Sequence, residues 1–268
     1  MYKKLNSIVI NCFLFFSVCL FTFCKKSSGQ QPAPAPSPTP PVNTGTYQLV
    51  WSDEFNDASI DGSAWNFETG GSGWGNHEQE YYQAANAGIE EGNLVITGKK
   101  ETVGSNGYTS ARMTTQSKKE FFYGRIEARI KMPVGKGFWP AFWMLGANIN
   151  TVNWPACGEI DIMEHINDDS LIYGTAHWDN NGHVQDGGHI ESSPSQYHIY
   201  AVEWNTSLIK WSIDSVEYKQ TTTTGAFRQP FFILLNFAIG GDWPGQTIDN
   251  SLLPAKMYVD YVRVYRKK

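Results

Sequence analysis

Three carboxylates, Glu159, Asp161 and Glu164, stand within six residues of an otherwise apolar run in the stretch CGEIDIMEH, Cys157 to His165. On a half-buried strand such crowding of like charge is costly, and folding alone gives no reason for it. Side chains two apart on a strand share a face, about 6.6–7 Å apart along the chain. Glu159 and Asp161 therefore point one way, while Ile160 and Ile162 point into the core. Glu164 comes five residues after Glu159, so a regular strand would send it to the opposite face. One extra residue near Ile162–Met163, a β-bulge, would restore all three acids to one face, and bulges re-aim side chains beside active sites. The spacing predicts that bulge.

Glycoside hydrolysis is a chemistry that wants this arrangement. A retaining mechanism uses two carboxyl groups roughly 5–5.5 Å apart, one to attack the anomeric carbon and one to protonate the leaving oxygen and later activate water. The two need opposite protonation states, and close like charges push their pKa values apart. Asp161, between them, is placed to hydrogen-bond the nucleophile. On spacing alone, a solvated polar strand face or a cation site remain open as alternatives.

The elements that hold these acids read as short strands. NLVITGKK (93–100), FYGRIEARIKM (122–132), GFWPAFWML (137–145), HIYAVEWN (198–205), LIKWSID (208–214), FFILLNFAI (231–239) and MYVDYVRVY (257–265) are separated by Gly, Asn, Asp and Pro, the pattern of an all-β sandwich or barrel. In GRIEARIKM, Ile126, Ala128 and Ile130 alternate with Arg125, Glu127, Arg129 and Lys131, one face in and one out, as two packed antiparallel sheets require. One domain over residues 47–268 is the simple reading.

The chain has 268 residues and a net charge of −5, which argues against a nucleic-acid backbone as partner. Its ten Trp and thirteen Tyr supply flat faces on which sugar rings stack. Residues 1–24 read as a targeting segment, with MYKK as the positive region and Ile8 to Phe23 as the apolar one. Residues 25–46 form a Pro/Ser-rich tether that cannot pack a core. With Cys12, Cys19 and Cys24 all within residues 1–24, Cys157 stands alone, which excludes a disulfide framework and a Cys-based metal site and leaves a buried, inert thiol.

GEIDIMEH resembles the bulged E-x-D-x-x-E signature of family-16 glycoside hydrolases of the laminarinase type. LVWSDEF (49–55), GWGNHEQEYY (73–82), YTSARMTTQSK (108–118), GFWPAFWML, PFFILLNFAIGGDWPG (230–245) and YVDYVRVY resemble that family in the same order. The resemblance implies a β-jelly-roll sandwich of two antiparallel sheets, concanavalin-like, with an open cleft. It implies Glu159 as nucleophile, Asp161 as its helper and Glu164 as acid/base, with no cofactor for catalysis. The implied substrate is β-1,3-glucan, with mixed-linkage β-1,3-1,4-glucan second. A galactan-cleaving enzyme of the same family and a non-catalytic sugar-binding module are the competing readings.

Trp139 and Trp143, four apart, share a strand face, and the resemblance places both in the cleft. Trp154, on a loop before the acids, and Trp243, among Gly and Pro, are further stacking candidates. Arg112 has no obvious local partner; by resemblance it and Asn76 contact glycone-side hydroxyls, and His177 lies close to the acid/base. His177, His183 and His189 recur at intervals of six, a spacing that fits neither a strand nor a helix zinc site, and are read as a hydrated loop over the cleft. The resemblance also implies a structural calcium on Glu54, Gly92 and Asp260. The leader resembles a lipoprotein signal that would lipidate Cys24, although Phe23 stands where a small residue is usual. The expected protein is an exported monomer, tethered to a bacterial outer membrane by lipid alone.

Overall fold

Ile126, Ala128 and Ile130 are fully buried in the strand Gly124–Lys131, and Arg125, Arg129 and Lys131 lie on its other face, so the period of two in GRIEARIKM is realised. Glu127 departs from the simple alternation. It is buried, and it accepts hydrogen bonds from Arg125 Nε at 2.7 Å and the Tyr265 hydroxyl at 3.2 Å. The computed structural model describes residues 46–268, so the targeting segment, Cys24 and nearly all of the tether lie outside the described residues.

Two eight-stranded antiparallel sheets carry the domain. The back sheet contains β1 (Tyr47–Asp53), β4 (Ala87–Glu90), β5 (Asn93–Gly98), β9 (Gly124–Lys131), β14 (His198–Trp204), β15 (Leu208–Ile213), β16 (Val216–Thr222) and β18 (Ala255–Lys267). Its order is β16-β15-β14-β9-β18-β5-β4, with β1 also on β18. The cleft sheet contains β2 (Asn66–Glu68), β7 (Arg112–Thr114), β8 (Glu120–Phe121), β10 (Phe138–Gly146), β11 (Glu159–Glu164), β12 (Leu171–Asp179), β13 (His183–Glu191) and β17 (Phe231–Ile239). Its order is β13-β12-β11-β10-β17-β7-β2, with β8 also on β17. The short strands β3 (Glu80–Tyr82) and β6 (Tyr108–Ser110) pair in parallel.

The core fills the space between the sheets, as a sandwich requires. All nine residues of β17 are buried, and Trp204 of the back sheet meets Phe231 edge to face at 5.1 Å. All seven segments read as strands are strands. The histidine-rich stretch is not a loop. It is a hairpin in which β12 and β13 pair from Leu171↔Glu191 to Asp179↔His183, leaving only Asn180–Gly182 as the turn. As an edge strand, β13 has no fully buried position, so it lacks the apolar alternation that marks a strand.

Candidate active site

The predicted bulge is present. Against β10, Leu145, Met144 and Trp143 face Glu159, Ile160 and Asp161, whereas Phe142 and Ala141 face Met163 and Glu164, leaving Ile162 without an opposite number. Against β12, Asp161 faces Thr175 and Glu164 faces Tyr173, three steps on one strand against two on the other. Ile160, Ile162 and Met163 all enter the core. The back sheet supports the distortion: Trp211 Nε1 of β15 donates to the Asp161 carbonyl at 2.7 Å. Gly174 of β12 makes room for it, since a Cβ there would collide with the Trp211 ring and the Tyr218 hydroxyl.

All three acids thereby line both halves of a cleft. One half, about 390 Å³, is walled by Trp74, Asn76, Glu78, Arg112, Trp143 and Asn236. The other, about 590 Å³, is walled by Tyr173, His177, His183, Gln185, His189 and Trp243. Glu159, Asp161, Glu164, Trp139, Trp154 and Asn76 stand at the junction and line both.

Electrostatics at this junction favours shared protons. Burial raises the Glu164 carboxyl to about 8, with the Asp161 charge adding to it and the Trp139 hydrogen bond partly opposing it. Burial alone lifts Asp161 to about 8. Glu159 is pushed well above the usual carboxylate range, by burial first and by Asp161 second. Oxygens of Glu159 and Asp161 and a nitrogen of His177 all lie within 4.8 Å of one another, so the two acids cannot both carry full charge at low cost.

All four candidate tryptophans line the cleft. Trp139 Nε1 donates to Glu164 Oε1 at 2.9 Å, and Trp143 Nε1 donates to Asn236 Oδ1 at 2.8 Å, both from the cleft face of β10. Trp243 is 40% exposed and meets Trp139 and Tyr173 edge to face at 5.6 and 4.9 Å. Trp154 is 47% exposed on its loop, 4.6 Å from the His183 ring.

The family description "Glycosyl hydrolases family 16" matches residues 74–263, which include every cleft residue named above. The chain belongs to glycosyl hydrolase family 16. The chain of this family-16 hydrolase is 40% identical over 244 residues to a β-glucanase of Rhodothermus marinus, covering 82% of this chain and 85% of that one. It is 45% identical over 231 residues to the clotting factor G alpha subunit of Tachypleus tridentatus, covering 82% of this chain but only 34% of that protein. Among solved structures, the laminarinase catalytic domain of Thermotoga maritima superposes with a TM-score of 0.78 at 43% identity, covering 83% of this chain and 99% of that one.

In this family-16 hydrolase Arg112 and His177 have partners that the sequence did not show, and the calcium expectation needs correction. Arg112 has a partner far along the chain: it faces Glu68 across the β2–β7 pair and forms an ion pair with it, while its guanidinium lies 5.0 Å from the Trp74 ring and 4.9 Å from that of Trp143. The two residues are 44 positions apart, so no local pattern reveals the pair. His177 lies 3.0 Å from Asp161 and 3.9 Å from Glu159, and lines the same half of the cleft as Glu164. It faces Glu159 directly across β11 and β12. The residues expected to hold calcium do not fit that ion as free donors. Glu54 accepts two hydrogen bonds from Arg263, at 2.9 and 2.8 Å, and Asp260 accepts one from Arg129 at 2.7 Å. Gly92 has a left-handed backbone, with φ of 74°, in the turn joining β4 to β5.

Several cleft residues were not singled out from the sequence. Trp74 and Glu78 flank Asn76, whose Nδ2 donates to Glu78 Oε1 at 3.1 Å, and Tyr82 donates to Glu78 Oε2 at 2.8 Å. Asn236 is the one polar residue of FFILLNFAI, and that interruption of an apolar strand was the available signal. Cys157 is buried as read, and burial lifts its thiol to about 11, which keeps it unreactive.

Proposed function

We propose that this family-16 hydrolase is an endo-acting, retaining glycosidase that cleaves β-1,3-glucan and, second, mixed-linkage β-1,3-1,4-glucan. The observation that carries this reading is the bulge at Ile162, which turns Glu164 into the same cleft as Glu159 and Asp161. A sugar-binding module has no need of a strand distorted to gather three acids. The β-glucanase and laminarinase relatives favour glucan over galactan.

In the first step, a Glu159 oxygen attacks the anomeric carbon as the glycosidic C–O bond breaks, and Glu164 gives its proton to the leaving oxygen. With its carboxyl at about 8, Glu164 holds that proton at neutral pH. The Glu159–Asp161 pair keeps one proton; held on Asp161, it leaves the negative charge on Glu159, where attack needs it. Departure of the leaving saccharide leaves Glu164 ionised; it then takes a proton from water as the water oxygen attacks the anomeric carbon, breaking its bond to Glu159 and returning the bonding pair to the Glu159 carboxylate. The product retains its configuration, and each acid regains its starting state.

The open halves on either side of the acids suit a long chain cut internally. Catalysis in this family needs no cofactor. A structural calcium finds no support in carboxylates already neutralised by Arg263 and Arg129. We place the protein outside the cytoplasm as a monomer lipidated at Cys24 in the outer membrane. Support for this comes from the basic-then-apolar leader, the Pro-rich tether and the size of a polymeric substrate. The test is release of reducing ends from laminarin, lichenan and agarose by the full chain, with Glu159→Gln as control. Release from agarose alone, or an unimpaired Glu159→Gln, would overturn the assignment.

A further inference from the structure

His177 meets the catalytic carboxylates with one ring nitrogen and a second histidine with the other. Its Nε2 lies 3.0 Å from Asp161 Oδ2. Its Nδ1 lies 2.9 Å from Nε2 of His183, with the two rings stacked at 5.1 Å and 20° between planes. His183 packs in turn on Trp154. The charged and titratable groups around His177 are Glu159, Asp161 and Glu164 from β11 and His183 from β13, while the loop side brings the uncharged Trp154.

Two ring nitrogens at hydrogen-bond distance hold one proton between them, so one imidazole donates and the other accepts. That choice sets the tautomer of His177, because a neutral ring carries its proton on one nitrogen and accepts on the other. Asp161 Oδ2 indicates which tautomer is needed. It is buried and without a hydrogen bond, although His177 Nε2 lies 3.0 Å away. A buried carboxylate oxygen left unsatisfied is costly, and a small turn of the His177 ring would satisfy it if Nε2 carries the proton. Nδ1 then has to accept, and His183 has to donate. In the opposite tautomer, Nε2 would be a bare acceptor competing with Glu159 for the proton of Asp161.

We propose that His183 is a positioning residue for catalysis: it donates to Nδ1 of His177, holds the Nε2–H of His177 on Asp161, and so reserves the proton of the acid pair for the space between Asp161 and Glu159. This inference rests on the glycosidase reading of the three acids. His183 itself touches neither the acids nor the bond that breaks.

Two substitutions separate hydrogen bonding from stacking. His183→Phe keeps an aromatic face on Trp154 and His177 but offers no N–H, whereas His183→Gln offers an N–H without the ring. On laminarin, His183→Phe is expected to lower kcat at least about tenfold, short of the roughly hundredfold that a 1 Å misplacement can cost. KM should rise by a smaller factor than kcat falls, because His183→Phe keeps the aromatic face that His183 presents to Trp154 and the cleft. His183→Gln should recover most of the lost kcat. Nitrogen NMR of the wild-type protein should find His177 protonated on Nε2, and a mixture of tautomers in His183→Phe. An Nδ1–H tautomer in the wild type, or a wild-type kcat in His183→Phe, would overturn the proposal. So would a His183→Gln variant as slow as His183→Phe. Glu159→Gln is run alongside: if it stays active, the glycosidase reading fails, and if it is inactive, the His183 results bear on His183 alone.

Discussion

Trp139 donates its indole N–H to Glu164 Oε1 at 2.9 Å, from a residue that also packs edge to face on Trp243. One side chain thus joins the sugar-facing wall to the proposed acid/base. The hydrogen bond favours the ionised form of Glu164 and so restrains the rise that burial imposes.

Trp139→Phe keeps most of the ring and removes the N–H. Glu164 should then titrate higher, and the alkaline limb of kcat/KM should move to higher pH. A hydrogen bond of this kind contributes about 1 kcal/mol, so kcat at neutral pH should fall by roughly fivefold. A pH–rate profile that does not move would dissociate Trp139 from the acid/base.

The acids bring a stability cost with a defined sign. Glu164 and Asp161 titrate near 8 in the folded chain, far above the range of an unfolded carboxylate. The folded state therefore binds more protons than the unfolded state between about pH 4.5 and 8, and stability falls as pH rises through that window. Glu164→Gln removes the group that resists ionisation. It should raise Tm at pH 8 by a few degrees, since about 1 kcal/mol shifts Tm by roughly 2–4 °C in a domain of this size, with little change at pH 4. Thermal melts at both pH values check this, and an equal shift at both would refute the electrostatic origin.

The fold and the acids were legible because both obey short-range rules. Period-two alternation marked β9 and β10, a nearly unbroken apolar run marked β17, and the failure of the period at Glu164 marked the bulge. Arg112 with Glu68, and His177 with Asp161, were not legible, because each pair joins residues far apart in sequence through strand register. The β12–β13 hairpin was hidden for another reason: the inward positions of β13, Val184, Asp186, Gly188 and Ile190, are only half-buried and half of them are not apolar, so no clear alternation is printed on its residues.

Bulge geometry depends on a residue from the other sheet. Trp211→Phe leaves the Asp161 carbonyl without its donor, at a cost of about 1–3 kcal/mol for a buried unsatisfied group. Denaturant unfolding should register that loss, and kcat should fall more than KM rises. Full stability with full kcat would mean that the bulge holds itself.

The central claim is that Glu159 attacks carbon and Glu164 serves as acid and then base in one cleft. Proton NMR during laminarin hydrolysis tests it most directly, by recording which anomer of the new reducing end appears before mutarotation. The account predicts the β anomer first, from two inversions through a glycosyl–Glu159 ester. The α anomer first would mean a single displacement by water, and would contradict it.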